Sequence, residues 1–181
     1  MTTSGEGHGG SAQSHCIFCD IIQGAAEVSV CYEDLDAMAF MDIQPVNQGH
    51  VLVVPRQHVA KFSDVPSELA LHLFDVAQRL SSVVERVSKA EGLNIIVSSG
   101  AAAGQDVFHF HIHLIPRMNG DGFDVPLPFA ASSMPDRSHL DAMAARIISA
   151  LRDPARSKSG SHPAIAANRR GDADAVTGKR D

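Results

Sequence analysis

The feature that most constrains this chain is a short run in which His109, His111 and His113 alternate with apolar residues. Successive side chains of a β-strand point to opposite faces, so a period of two predicts a strand. The three imidazoles would then share one face, while Phe110 and Ile112 would fill a core on the other face. Residues two apart in a strand are separated by about 6.5–7 Å, so neighbouring imidazoles could contact one phosphate group together.

Three interpretations suit such a row of histidines. It could be an ordinary polar outer face, although three alternating histidines are improbable for that purpose. It could be a metal site, because imidazole is a common zinc ligand. It could also support nucleophilic catalysis by one neutral histidine whose neighbours orient it and hold an anion.

Periodicity elsewhere predicts further strands and two helices. Alternating or continuous apolar runs favour strands over residues 28–32, 37–41, 51–55 and 93–99, and apolar stripes at three- and four-residue steps favour helices over 67–91 and 136–151. Ser63 or Asp64 is expected to cap the long helix, with Pro66 in its first turn, and Gly92 is expected to end it.

Two cysteines near the start form a C-x-x-C pair, Cys16 and Cys19. Their spacing is that of one half of a zinc site. Two ordinary small apolar residues, or a redox pair, would have the same spacing. The pair therefore needs two further ligands before it indicates a metal.

Composition limits the classes of function. The 181 residues carry a formal net charge of −6, and the acidic residues dominate before Arg152. An acidic body argues against broad binding to a nucleic-acid polymer. No apolar run predicts a membrane span or a secretory signal, and an odd cysteine count suits a reducing cytoplasm. Residues 1–14 are predicted to be a disordered leader, 15–152 one domain and 153–181 a disordered tail.

The histidine run and the stretch Gly104-Gln105-Asp106-Val107-Phe108 before it resemble the signature of the histidine triad (HIT) superfamily of nucleotide hydrolases and transferases. The upstream segment from Gly49 through Pro55 to His58 is similar to that superfamily as well. The resemblance covers about residues 16–152 and implies an α+β fold with an antiparallel sheet of about five strands and two main helices. It also implies a homodimer whose sheets lie side by side.

The resemblance implies roles for individual residues. His111 would be the nucleophile that attacks the α-phosphorus of a purine nucleotide such as an AMP derivative, giving a nucleotidyl-histidine intermediate. His113 would stabilise charge on the phosphate, and His50 would support the cluster. The expected nucleotide-binding residues are Asp42, which would accept from the ribose hydroxyls, Ile43 beside it, and Ser98, Gly104, Gln105, Asp106 and His113 around the phosphate and the leaving group. Judged without the triad, Asp42 would be an ordinary turn aspartate.

Relatives that carry the N-terminal C-x-x-C imply a structural zinc site of four ligands. The expected ligands are Cys16, Cys19, His58 and His109, a closed tetrahedral set. Such a site would pin the N-terminal segment against the catalytic segment and orient His109 beside the nucleophile. His58 as a plain polar residue beside a helix remains the alternative.

Two departures from the superfamily pattern leave the substrate open. Asp106 stands where many relatives carry serine, and an ionised carboxylate cannot donate a hydrogen bond. Ser98 stands near a position where phosphoramidase relatives often carry asparagine. Nucleoside phosphoramidates, dinucleoside polyphosphates and acyl-adenylates all remain candidates. A zinc-dependent hydrolase and a nucleotide-binding regulatory module with weak catalysis are the alternative functions.

Overall fold

The computed structural model describes residues 16–124 and 136–153. These residues belong to two compact units that divide after residue 133. The predicted leader, and the predicted tail beyond Asp153, lie outside the described residues, so the predicted domain boundaries stay predictions. No helix in the described ranges has the length and apolar character needed to cross a membrane.

A five-stranded antiparallel sheet forms the first unit, as the resemblance implies. Its strands are β1 (Val30–Glu33), β2 (Ala37–Met41), β3 (Val51–Pro55), β4 (Gly92–Ile96) and β5 (Ile112–Arg117). They lie in the order β1-β2-β3-β5-β4, so β5 is inserted between β3 and β4. This insertion places the histidine segment beside the buried strand β3.

The described residues also form two long α-helices and one short α-helix. Helix α1 (Ile17–Ile22) contains Cys19 and has Cys16 as its N-cap residue, and α2 (Ser67–Ser88) packs on the sheet. Helix α3 (Arg137–Leu151) belongs to the second unit. It coincides with the helix that the apolar stripe predicts over 136–151. The prediction of two main helices is confirmed, whereas α1 was not predicted.

The sheet has a separate core on each face. One core joins α2 to side chains of β2, β3 and β5, including Val53, Leu73 and Ile112. The other core joins α1 to the opposite face, through Phe18 and Leu52. Strand β3 is buried along its whole length, as its continuous aliphatic run predicted.

The predicted ends of the long helix are wrong at both termini. Ser63 and Asp64 lie in a separate 3₁₀ turn, and the Ser63 hydroxyl donates to the Asp64 carboxylate instead of accepting from a helix amide. Pro66 is the N-cap residue, and its carbonyl accepts from Ala70. The helix ends at Ser88, and Gly92 begins β4 instead of capping α2.

The histidine segment is only partly a strand, which corrects the prediction. Strand β5 begins at Ile112, opposite Val53 of β3, and the chain before it leaves the ladder. The amide of Phe110 donates to the Val59 carbonyl at 2.6 Å, outside the sheet. The alternation of faces nevertheless continues, because Phe110 and Ile112 lie in the α2 core while His111 contacts Phe18 on the other side.

Candidate functional site

The side chain of His111 is buried and oriented by its own backbone. Its Nδ1 donates to the carbonyl of His109 at 2.7 Å. Since Nδ1 carries the proton, the neutral ring has its lone pair on Nε2. An imidazole nitrogen with a free lone pair is a nucleophile.

His50 and His113 form a second oriented pair beside His111. The backbone amide of Val46 donates to Nδ1 of His50 at 3.3 Å, so the proton of the neutral His50 ring is on Nε2. That Nε2 donates to Nδ1 of His113 at 3.0 Å. The remaining nitrogen of His113, Nε2, therefore carries a proton that it can donate to a ligand. The ring centroids of His111 and His113 are 4.7 Å apart.

Burial keeps both supporting histidines neutral. Burial, together with the neighbouring His111 and His50, lowers the pKa of His113 to about 4. Burial also lowers the pKa of His50, an effect that the Asp42 carboxylate partly offsets. The hydrogen-bond directions given above need neutral rings, so these shifts agree with that assignment at pH 7.

The loop between β2 and β3 positions His50 and Asp42 together. The amide of Asp42 donates to the His50 carbonyl at 3.0 Å, which extends the contact between the two strands. Gly49 has a φ of +99° and sits where a Cβ would lie 3.2 Å from Ser88. The positive φ favours glycine at this position, and a Cβ there would also require the Ser88 side chain to shift by a few tenths of an ångström.

The Asp42 carboxylate stabilises a turn and also lies beside His50. One carboxylate oxygen accepts from the amide of Gln44 at 2.8 Å, an Asx turn. The other oxygen lies 3.5 Å from Nδ1 of His50. The neighbouring side chain of Ile43 is 95% exposed. Ile43 is therefore open to solvent, whereas the side chain of Asp42 is only 17% exposed.

Gln105 is committed to the backbone of its own loop. Its side chain is buried, and its Oε1 accepts from the amide of Gly100 at 2.7 Å. Its Nε2 donates to the carbonyls of Ala60 and Val107. In this arrangement Gln105 shapes the loop, and its predicted contact with a phosphate stays a prediction.

The other predicted phosphate residues are accessible. Gly104 is exposed with a φ of +81°, and no atom lies within 4 Å of the position of a Cβ there. Asp106 is exposed and Ser98 is half-buried. Their predicted contacts with a nucleotide stay predictions.

The four predicted metal ligands lie together. The Sγ atoms of Cys16 and Cys19 are 3.5 and 3.6 Å from Nδ1 of His109, and Sγ of Cys19 is 3.3 Å from Nδ1 of His58. A thiolate and an imidazole on one tetrahedral zinc ion would be about 3.5 Å apart, from the usual bond lengths. All four donor atoms lie within 4.8 Å of one another. The donor set and its spacing are therefore compatible with zinc.

The orientation of His109 suits this role. Its ring is fully buried, and its Nε2 donates to the carbonyl of Pro55 at 2.8 Å. Nδ1 therefore presents a lone pair to the two thiols. Metal-binding histidines usually donate their second N–H in this way, which fixes the ring.

Sequence reasoning missed one aromatic contact that joins the two clusters. Phe18, which lies between the two cysteines, meets the rings of His109 and His111 edge-on, at centroid distances of 5.8 and 5.3 Å. Its place between the cysteines in an apolar run was the available signal. Helix α1 thus brings both the thiols and a packing surface for the nucleophile.

Comparison with known proteins agrees with this geometry. The HIT domain family matches residues 23–120. The crystal structure of SMU.412c from Streptococcus mutans is 36% identical, with a TM-score of 0.71 over 83% of this chain and 94% of that one.

Two further relatives concern the chemistry of the site. A zinc-bound histidine triad family protein from Mycobacterium smegmatis is 36% identical, with a TM-score of 0.58 over 75% of this chain and 96% of that one. The adenylylsulfatase HINT3 of Arabidopsis thaliana is 31% identical over 153 residues, which are 83% of this chain and 75% of that protein.

Proposed function

The chain belongs to the HIT family, whose members are generally nucleotide-binding proteins and hydrolases, and we propose that it cleaves purine nucleotides at the α-phosphate through a nucleotidyl-His111 intermediate. The observation that supports the proposal is that a ring nitrogen with a lone pair, on His111, lies beside a hydrogen-bond donor, on His113. Nε2 of His111 is free of the proton, and the adjacent His113 presents an N–H. A nucleophile beside a hydrogen-bond donor suits attack on a phosphate.

The reaction has two displacements at phosphorus. Nε2 of His111 forms a bond to the α-phosphorus, and the bond to the leaving group breaks with its electron pair going to that group. A water molecule then forms a P–O bond and releases a proton to solvent, while the P–N bond breaks and its electron pair returns to Nε2. The N–H of His113 stabilises the negative charge on the phosphate oxygens in both steps.

The substrate is a purine 5′-phosphoramidate, a dinucleoside polyphosphate or an acyl-adenylate. Asp42 accepts hydrogen bonds from the ribose hydroxyls, a role that suits a partly exposed carboxylate beside His50. Ile43 packs on the nucleoside. The relationship to an adenylylsulfatase supports an adenylyl group as the part that His111 accepts.

Zinc has a structural role in this proposal. The ion would be bound by Cys16, Cys19, His58 and His109 and would hold α1 against the catalytic segment. It would also keep in place the His109 carbonyl, which orients His111. The chemistry at phosphorus needs no metal. Free thiols at Cys16 and Cys19 suit a reducing compartment, so we place the protein in the cytoplasm.

The active form is proposed to be a homodimer. Strand β4 is at the outer edge of the sheet and its Ile95 side chain is 51% exposed. An edge strand can pair with the same strand of a second copy. Sedimentation analysis should give twice the chain mass, and a monomer at micromolar concentration would contradict this part of the proposal.

The central test is detection of the covalent intermediate. We expect mass spectrometry of rapidly quenched reactions with adenosine 5′-phosphoramidate to show a protein adduct of one adenylyl group. His111→Asn should abolish it, while His72→Gln serves as a matched control because His72 lies on α2 in a pair with Asp34.

The same variants separate the alternative functions. Loss of bound zinc together with activity in His111→Asn would favour a zinc-dependent hydrolase. Tight nucleotide binding by the wild type without any adduct or turnover would favour a regulatory module. Either result would overturn the proposed mechanism.

A further inference from the structure

A second group of possible metal ligands shares no residue with the thiol cluster, which consists of Cys16, Cys19, His58 and His109. One donor atom each from Asp42, His50 and His113 lies within 4.8 Å of the other two. Nε2 of His50 and Nδ1 of His113 are 3.0 Å apart. Two imidazole nitrogens on one tetrahedral zinc ion would be about 3.3 Å apart, so the pair needs to open only slightly to hold an ion.

We propose that His50 and His113, supported by Asp42, form a second and weaker site for a divalent transition metal whose occupancy blocks the nucleotide site. The ion takes the place of the proton that the two rings now share. That proton moves from Nε2 to Nδ1 of His50, and the Asp42 carboxylate, 3.5 Å away, accepts a hydrogen bond from it. A carboxylate on the second nitrogen of a metal-bound histidine is a common arrangement.

The donor set selects the kind of ion. Imidazole nitrogens favour Zn²⁺, Co²⁺, Ni²⁺ and Cu²⁺ over Mg²⁺ and Ca²⁺, which prefer oxygen ligands. The site supplies two imidazoles, and water completes the coordination. Two features make it weaker than the thiol cluster: it has no thiolate, and binding removes the acceptor of the Val46 amide.

Occupancy would interfere with the nucleotide in two ways. The ion occupies Nδ1 of His113 in place of the His50 N–H, and the two rings separate to admit it, which moves the Nε2–H of His113 away from the phosphate. The ion also engages the Asp42 carboxylate through His50, and the proposed function needs that carboxylate for the ribose. Inhibition rests on the proposed function, whereas binding of the ion does not.

Cobalt titration of the metal-free full-length protein tests the site without measuring activity. Co²⁺ bound by thiolates gives an intense near-ultraviolet charge-transfer band, and Co²⁺ bound by imidazoles alone does not. We expect a first equivalent with that band and a weaker second equivalent without it.

Substitutions assign the second equivalent. His50→Gln and His113→Gln should lose it, and Asp42→Asn should weaken it about 10–100-fold, as for other partners of metal-bound histidines. Each variant should keep the thiolate band of the first equivalent, which also shows that it is folded. His72→Gln is the matched control, because His72 and Asp34 form a histidine–carboxylate pair at 2.8 Å without a second histidine in that pair.

Several outcomes would overturn the proposal. The wild type could bind only one equivalent of cobalt, or the second equivalent could survive in His50→Gln or His113→Gln. Loss of the second equivalent in His72→Gln would place it elsewhere.

Inhibition has its own test. Zinc beyond one equivalent should slow hydrolysis of adenosine 5′-phosphoramidate, and a chelator should reverse the effect. Unchanged turnover with the second site filled would overturn the blocking role. If no nucleotide is turned over at all, the proposed function fails while the cobalt experiment still decides whether the metal site exists.

Discussion

Two histidine clusters lie next to each other on the same face of the sheet, and they use the same side chain differently. In the thiol cluster, Nε2 of His109 donates to the Pro55 carbonyl and Nδ1 faces two sulfur atoms. In the triad cluster, formed by His50, His111 and His113, Nδ1 of His111 donates to the His109 carbonyl, so Nε2 keeps its lone pair. The carbonyl that each ring meets therefore decides which nitrogen has the lone pair and what it can bind.

The clusters are also connected through one residue. The ring of His109 belongs to the thiol cluster, while its carbonyl holds the ring of His111. Phe18 packs against both rings. A change in the thiol cluster should therefore reach the nucleophile, whereas a change at His111 should leave the thiol cluster intact.

Removal of the nucleophile should have the largest effect, and it should change the triad cluster while leaving the thiol cluster intact. His111→Asn should lower kcat by at least about 10⁴-fold, as loss of a nucleophile does in other enzymes. Zinc content by mass spectrometry should stay that of the wild type. A loss of zinc in this variant would show that the two clusters are not separate in function.

Removal of a thiol should affect both clusters. Cys19→Ser should lose the zinc, and with it about 4 kcal/mol of stability if zinc is present at 1,000 times its Kd. Thermal unfolding with and without a chelator measures this, and the chelator should lower the Tm of the wild type alone. A variant with unchanged kcat would mean that the thiol cluster does not position His111.

The pH dependence of stability should report the buried triad cluster. The pKa of His113 is lowered from its ordinary value to about 4, so the unfolded chain takes up the proton first as the pH falls. The contribution of His113 to the free energy of unfolding should therefore be greatest above pH 6.5 and should decrease as the pH falls from 6.5 to about 4. Denaturant titrations across that range should show a shallower decrease in His113→Gln, and an equal slope would contradict the assignment.

The smallest effect is expected from the residue that only orients another ring. His50→Gln should lower kcat about 10–100-fold, because His113 loses the donor that holds its Nδ1. Steady-state kinetics should show the loss mainly in kcat, with zinc content unchanged. A loss as large as that of His111→Asn would mean that His50 takes part directly in the chemistry.

Local patterns explain how much of this could be predicted. The alternation of His109, His111 and His113 with apolar residues places rings and core on opposite faces, and this holds even where the ladder ends before Ile112. The aliphatic run of β3 and the stripe of α2 were equally readable, because periodicity depends only on neighbours along the chain. The helix ends were predicted wrongly, because several residues nearby could have served as caps.

The amino-acid sequence alone determined the face that the histidines share, the strand they accompany and the family to which the chain belongs. Only the tertiary structure decided which nitrogen of each ring has the lone pair and which carbonyls accept from the Gln105 side-chain amide. The groups responsible, such as the carbonyls of Pro55 and Ala60, lie 54 and 45 residues away along the chain. No local pattern encodes such contacts, because they exist only after β3 and the histidine segment have come together.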